Sequence, residues 1–258
     1  MPYADNQGVR IHYGVAGEGV PLVLQHGFTQ CIEDWHEAGY VEALKSDFQL
    51  ILVDARGHGA SDKPHDAGAY PLDKRASDVV AVLDALGVEK AHFWGYSMGS
   101  WIALGMAKYA PQRVGALVVG GGHPYARDQS ATRSLVSRAL AGGETIGEGG
   151  GGLFVASQSQ MHQHYMSAAL RERWLNADLN AYLALSLDRP SLEDAWLRMD
   201  MPCCLYVGEA DPLFAQARDA SRLNPRVTFF SLPGLDHVDG FYRTDIVLPR
   251  VVSFLRGS

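Results

Sequence analysis

Gly95-Tyr96-Ser97-Met98-Gly99 lies between a strand-like run, Ala91 to Tyr96, and a helix-like run, Met98 to Tyr109. A serine on so sharp a strand-to-helix turn must take a strained backbone conformation, and its close neighbours must be small for the turn to pass. Gly95 and Gly99 supply that room. A helix starting at Met98 aims its unpaired N–H groups at any anion that develops beside the serine. The five letters alone are only suggestive. Their place between strand and helix predicts a nucleophilic Ser97 at the edge of a sheet.

The segments around this turn keep the same rhythm. Val9 to Ala16 and Pro21 to Gln25 read as strands, and Ile32 to Lys45 has helical spacing through Trp35, Tyr40, Val41 and Leu44. Phe48 to Val53 is a near-continuous apolar run, as suits a central parallel strand. Pro71 to Leu86 is an amphipathic helix with Gly87 placed to end it, and Val114 to Val119 is a further strand. Strand, helix, strand with short links predicts an α/β fold, a mostly parallel central sheet with helices on both faces.

From about His123 to Asp200 only helices are predicted: Thr132 to Leu140, Met161 to Trp174, Leu179 to Leu187 and Leu192 to Met199. The α/β rhythm resumes with Cys203 to Val207, Phe214 to Leu223, Val227 to Leu232 and Ile246 to Leu255. The economical organisation is a core of residues 1–122 and 201–258 interrupted by a helical cap, residues 123–200. Within the cap, Gly142 to Gly152 holds seven glycines in eleven residues, which reads as a hinge or as an idle surface loop.

The chain has 258 residues, 47% hydrophobic and 20% charged, with a formal charge of −7. That profile fits a soluble globular protein and excludes disorder as the main state. An acidic balance without a basic block argues against a nucleic-acid partner, and the lack of an 18-residue apolar run argues against a membrane. Cys31, Cys203 and Cys204 are too few and too oddly placed for a disulfide framework, and the adjacent pair suits a strand better than a metal site. The expectation is a reduced, cytoplasmic protein without cofactor or metal. The oligomeric state stays open.

A serine hydroxyl is a weak nucleophile near neutrality and needs a base, together with a group that orients the base. Asp211, in Gly208-Glu209-Ala210-Asp211-Pro212, and His237, in Pro233-Gly234-Leu235-Asp236-His237, each follow a predicted strand. Ligands of open parallel sheets bind beyond the carboxyl ends of the strands, so both residues come from the correct edge. Glu209 and Asp236 compete with Asp211 for the place of the acid.

With these residues assembled, the sequence resembles the α/β-hydrolase fold family, in particular its serine-nucleophile esterase- and lactonase-like members. The marks are His26-Gly27-Phe28, Asp54-Ala55-Arg56-Gly57-His58-Gly59-Ala60-Ser61, the turn around Ser97, and Asp211 and His237 in the family's order. The match covers nearly the whole chain apart from the insertion. The resemblance implies an oxyanion hole made by the backbone N–H groups of Phe28 and Met98. Many relatives carry proline one position after the first donor, where this chain has Thr29.

The resemblance also implies hydrolysis of a small-molecule carboxylic ester or lactone through an acyl-enzyme. Carbon–carbon bond hydrolysis, perhydrolysis and ligand-dependent binding of a partner protein occur in the same family. A serine where some relatives place aspartate argues against haloalkane or epoxide opening. Asp54 to Ser61 reads as structural, with Arg56 and Asp54 fixing a turn. Trp35, His123 and Tyr125, with Cys31, lie near strand ends and either line a substrate pocket or pack. Met161, Tyr165, Met166, Trp174, Tyr182 and Trp196 either roof that pocket or hold the cap down. His162 and His164, two apart on a predicted helix, point to different faces and read as a solvated surface.

Overall fold

The computed structural model describes residues 2–141, 155–158, 162 and 164–258. Eight strands form one sheet: β1 (Tyr3–Asn6), β2 (Val9–Ala16), β3 (Val20–Gln25), β4 (Phe48–Val53), β5 (Ala91–Tyr96), β6 (Val114–Gly120), β7 (Cys203–Gly208) and β8 (Val227–Leu232). Their order is β1-β2-β4-β3-β5-β6-β7-β8. β1 and β2 pair antiparallel, β2 meets β4 antiparallel, and every pairing from β4 to β8 is parallel.

The helices are α1 (Ile32–Glu37), α2 (Tyr40–Leu44), α3 (Leu72–Ala85), α4 (Met98–Tyr109), α5 (Ser130–Ala141), α6 (Ala168–Leu175), α7 (Leu179–Leu185), α8 (Glu193–Arg198), α9 (Phe214–Ser221), α10 (Asp239–Tyr242) and α11 (Thr244–Arg256). Successive strand residues face opposite sides of the sheet, which sorts the core into two layers. Val23, Leu117, Val119, Cys203 and Leu205 join one layer with α3, α4 and α9. Leu22, Leu24, Ala116, Val118, Cys204 and Tyr206 join the other with α1, α2 and α11. Cys203 and Cys204 are therefore strand fillers, one on each face. α5 to α8 all lie between β6 and β7 in the chain. Among the described residues no helix is long and apolar enough to cross a membrane.

Several predicted elements differ from those observed. The helix expected over Ile32 to Lys45 is two helices, because the chain turns through Gly39 at φ 84°. The helix expected from Met161 begins only at Ala168, where the Ser167 hydroxyl accepts the Leu170 N–H at 2.9 Å and caps its start. Met161 and the glycine-rich stretch Gly142 to Gly152 lie outside the described residues.

The turn after β4 is built on Asp54. Its carboxylate accepts the N–H groups of Ile32 and Ala60, both at 2.9 Å, and its Oδ2 lies 2.7 Å from Nδ1 of His12. Burial works against the Asp54 charge, yet these bonds hold its pKa below the usual carboxylate range. Gly59 is obligatory here, since a Cβ would stand 2.2 Å from that carboxylate. Beside this turn, the Arg56 guanidinium makes two bonds to Asp78, that from Nε at 2.6 Å, with both side chains almost fully buried.

Removing one member of a buried pair strands the other, which costs about 3–5 kcal/mol. Arg56→Met should lower unfolding stability in urea by about that amount, and Arg56→Met with Asp78→Leu should recover most of it. A double variant as unstable as the single one would show that the pair contributes net stability.

Candidate active site

β5 delivers Ser97 and α4 starts at the next residue. Ser97 takes φ 53° and ψ −108°, a backbone region costly for any residue with a Cβ. Two glycines make the turn passable. A Cβ on Gly95 would stand 2.1 Å from the Gly99 carbonyl oxygen, and one on Gly99 would stand 2.0 Å from that of Gln25. The Ser97 N–H donates to the Gly120 carbonyl at 2.8 Å, and the Ser100 hydroxyl donates to the Ser97 carbonyl at 2.6 Å. The turn is therefore tied to β6 and to its own helix, leaving the Ser97 hydroxyl free to face the cleft.

His237 approaches from the loop after β8, its Nε2 2.9 Å from Oγ of Ser97 and its Nδ1 2.6 Å from Oδ2 of Asp211. Asp211 follows β7 and is buried, with its second oxygen accepting the Leu213 N–H at 2.8 Å. A neutral imidazole with the proton on Nδ1 satisfies both contacts, donating to Asp211 and accepting from the serine hydroxyl. The Tyr96 hydroxyl donates to the His237 carbonyl, which holds that loop over the turn.

The two competing carboxylates are occupied elsewhere. Asp236 accepts the N–H groups of Val238 and Asp239 at 2.8 and 2.9 Å, starting α10. Glu209 is exposed and accepts the Ser231 hydroxyl at 2.7 Å.

The loop after β3 closes against the same serine. A Cβ on Gly27 would come within 3.4 Å of the Ser97 Cβ. His26 braces this loop, its Nδ1–H donating to the Gly27 carbonyl at 2.8 Å while Nε2 accepts the Ala55 N–H at 3.0 Å. The Gly27 N–H donates to the Gln30 side chain at 2.8 Å. The N–H groups of Phe28 and Met98 have no hydrogen-bond partner among the described residues. Thr29 sits at φ 68°, a value closed to proline, whose ring holds φ near −65°. The loop thus differs in backbone from one carrying proline at that position.

The expected pocket residues divide. Trp35 does not reach the cleft: it is 0% exposed and wedged among the rings of Tyr40, Trp94 and Phe241, so it packs the core. Cys31 is buried, its thiol donating to the carboxylates of Glu33 and Asp34. His123 and Tyr125 are half-buried beside the site, with the Tyr125 N–H donating to Nδ1 of His123 at 3.2 Å.

Most of the aromatic residues expected to roof the pocket are anchors. Trp174 donates to the Thr29 carbonyl at 3.0 Å and Trp196 to that of Ala220 at 2.9 Å. The Tyr165 ring stacks on that of Tyr242. Tyr182 is the exception, its ring 4.9 Å from that of Phe28. His162 is half-buried with its ring edge against Trp174, so it is not a solvated position. Cys31, Glu33 and Asp54 bring possible metal-ligand atoms within 4.8 Å of one another, although Asp54 already serves its turn.

Arg127 and Arg189 carry no sequence signal of a site, and His58 reads only as part of the structural segment Asp54 to Ser61. His58 is buried beside Phe28 and Tyr182 with no partner for its Nε2, and burial pushes its pKa well below the usual value, so the ring is neutral. Arg127 and Arg189 share a small space with Gly121, Gly122 and His123 at the end of β6, and no local sequence signal brings them together. A Cβ on Gly122 would stand 2.0 Å from the Ser100 hydroxyl, so backbone and pocket crowd together there. A groove of about 830 Å³ is lined by Lys90, Val114 and Pro202, which precede or begin β5, β6 and β7, at the sheet edge opposite Ser97.

The strain at Ser97 is measurable. Ser97→Gly should unfold at higher urea than Ser97→Ala, by roughly 1 kcal/mol, because glycine alone is at ease at that φ. Equal stabilities would show that the turn is not strained.

A family model described as the alpha/beta hydrolase fold matches residues 20–141. A Bacillus subtilis protein named "Putative 2-succinyl-6-hydroxy-2,4-cyclohexadiene-1-carboxylate synthase" is 30% identical over 226 residues, covering 81% of each chain. An Azorhizobium caulinodans protein named "Putative carbamate hydrolase RutD" is 36% identical over 122 residues, 47% of this chain. That match spans only 44% of the A. caulinodans protein. Among solved structures, the enol-lactonase of Burkholderia xenovorans LB400 superposes with a TM-score of 0.85 at 21% identity, over 99% of this chain and 100% of that one.

Proposed function

The chain belongs to the alpha/beta hydrolase fold family, and from that premise we propose that it cleaves a carboxylic ester or lactone through an acyl-enzyme on Ser97. The observation that carries this reading is the unbroken chain of contacts from Ser97 Oγ through His237 to Asp211, at 2.9 and 2.6 Å. Nε2 of His237 takes the hydroxyl proton as Oγ attacks the carbonyl carbon. Asp211 keeps the imidazole in the tautomer that can accept it and stabilises the resulting positive charge. The carbonyl oxygen becomes an oxyanion, received by the N–H groups of Phe28 and Met98, with each donor worth about 3–4 kcal/mol in sites of this kind. The proton then passes from His237 to the leaving alcohol as its bond to the carbonyl carbon breaks. Water, activated by the same nitrogen, releases the acid and restores Ser97.

The nucleophile's identity narrows the reaction class. Opening an epoxide with a serine oxygen would leave an ether on the enzyme, which water does not cleave, whereas acyl transfer leaves an ester, which it does. The described helices between β6 and β7, α5 to α8, act as a cap over this site, with α6 and α7 meeting the loop after β3 through Trp174 and Tyr182. The substrate is a small molecule.

Turnover of short 4-nitrophenyl esters and of simple lactones tests the assignment. A fluorophosphonate should add to Ser97 and to no other serine, and Ser97→Ala should lose activity by several orders of magnitude. Asp211→Asn should lower kcat on the order of 10⁴, by favouring the wrong tautomer of His237. Asp236→Asn and Glu209→Gln should stay within about tenfold of the unaltered chain. A loss in Asp236→Asn matching that of Asp211→Asn would move the acid. Ligand-dependent capture of a partner protein with no ester turnover would replace the hydrolase by a receptor.

A further inference from the structure

Behind the reaction centre two arginines line one small space, and among the described residues neither has a carboxylate partner. Arg127 and Arg189 form an isolated antiparallel bridge, each N–H donating to the other's carbonyl at 2.9 Å. Residues paired in this way project to the same side, where like charges repel. Among the described residues neither side chain makes an ion pair or a hydrogen bond. Arg189 has only the Trp101 ring, 5.2 Å from its central carbon.

The other half-buried arginines between β6 and β7, Arg133 and Arg173, have carboxylate partners. Arg133 meets Asp188 at 2.7 Å, and Arg173 meets Glu37 at 2.6 Å and Asp34 at 3.2 Å. In a chain with formal charge −7, two adjacent half-buried arginines without a counter-ion are conspicuous. Burial pushes the Arg189 pKa down to about 9, with Arg127 adding to the effect, and burial lowers that of Arg127 as well. Isolated cationic groups are costly in such places unless an anion joins them.

The two arginines line a small space with Ser100, Gly122, His123 and Leu213, of about 10 Å³. That is room for one oxygen-sized group. His123 contributes a third donor. Its Nδ1 accepts the Tyr125 N–H, so the neutral ring carries its proton on Nε2. Burial first, then the two arginines, push its pKa down to about 4, so the ring is neutral near pH 7. The Ser100 hydroxyl is already committed to the Ser97 carbonyl. Asp211, the nearest carboxylate to act on Arg127, is bound to His237 and to the Leu213 N–H. The pocket also adjoins the reacting atoms, since a Cβ on Gly121, another of its residues, would come within 3.1 Å of His237 Cε1.

We propose that Arg127, Arg189 and His123 receive a carboxylate carried by the substrate, so that the ester or lactone cleaved at Ser97 is an anionic one. This rests on the hydrolase reading above and names its substrate class. One carboxylate oxygen enters the space between the guanidinium groups, and the charge at last finds its counter-charge. The neutral counterpart of the same ester leaves both arginines unpaired.

The test compares mono-4-nitrophenyl glutarate with its methyl ester, and 4-acetoxybenzoate with its methyl ester, to cover a carboxylate on either side of the scissile bond. In at least one pair the acid should exceed the ester by about tenfold or more in kcat/KM, as expected of charge-assisted bonds. Arg127→Met and Arg189→Met should each erase that preference, mainly through KM, while turnover of the methyl esters is unchanged. Arg127→Lys should restore part of it. Both methionine variants should melt no lower than the unaltered chain, because each removes a like-charge contact. No preference in either pair, or equal losses on acid and ester, overturns the proposal. Glutarate binding measured by calorimetry separates the two readings. Binding that is lost in Arg127→Met, in a chain that hydrolyses nothing, keeps the pocket and removes the hydrolase, whereas absence of binding removes the pocket.

Discussion

Ser97 is held at φ 53° and ψ −108° by a turn that leaves no room for side chains two positions before and after it, and much of the molecule is arranged about that requirement. Gly99 lets α4 settle on the Gln25 carbonyl at the end of β3, which draws the loop from His26 to Gln30 against the serine. Gly95 lets the turn fold back on Gly99, and the Ser97 N–H takes its register from Gly120 on β6. Two neighbouring strands thus fix one residue. The loops that leave those strands are where Phe28 on one side and His123 on the other are found. A turn displaced by the width of one methyl group would pull all of these apart.

Residues of one type are told apart here by what occupies their lone pairs. Asp54, Asp211 and Asp236 are all carboxylates after strands, yet the first is spent on a turn and on His12, the last on starting a helix, and only Asp211 reaches the imidazole of His237. Histidines divide in the same way. His26 braces a loop through both nitrogens, His237 lies between an acid and a hydroxyl, and His58 keeps an unpartnered nitrogen beside Phe28. Arginines follow suit: Arg56 is matched by Asp78, Arg173 by Asp34 and Glu37, and the pair at 127 and 189 by nothing of the described chain.

The strand ends were legible because apolar runs of parallel strands are nearly continuous, and Ser97, Asp211 and His237 sit at those ends. The glycines of the Ser97 turn were legible because no other residue permits the geometry. Trp35 was not, since helical spacing says which residues share a face but not which layer of the sheet that face meets. The break at Gly39 was missed because the apolar spacing runs on across it. The Arg127–Arg189 bridge joins two segments far apart in sequence, and nothing local to either predicts the pairing. The same holds for Trp174 and Trp196, whose indole N–H groups find carbonyls on the loop after β3 and on α9.

The bond from Trp174 to the Thr29 carbonyl couples the shape of α6 to that of the loop after β3. Arg173 on the same helix grips Asp34 and Glu37, so α6 holds the segment just after that loop as well. Thr29 takes a backbone angle that proline could not, and it takes it directly next to Phe28. Exchanging this cap for that of a proline-bearing relative would leave the new helix facing a loop of another shape. Such a contact limits which segments could replace the one between β6 and β7. The boundary of the transferable module then runs through residues 28–37 as well as through the ends of the insertion.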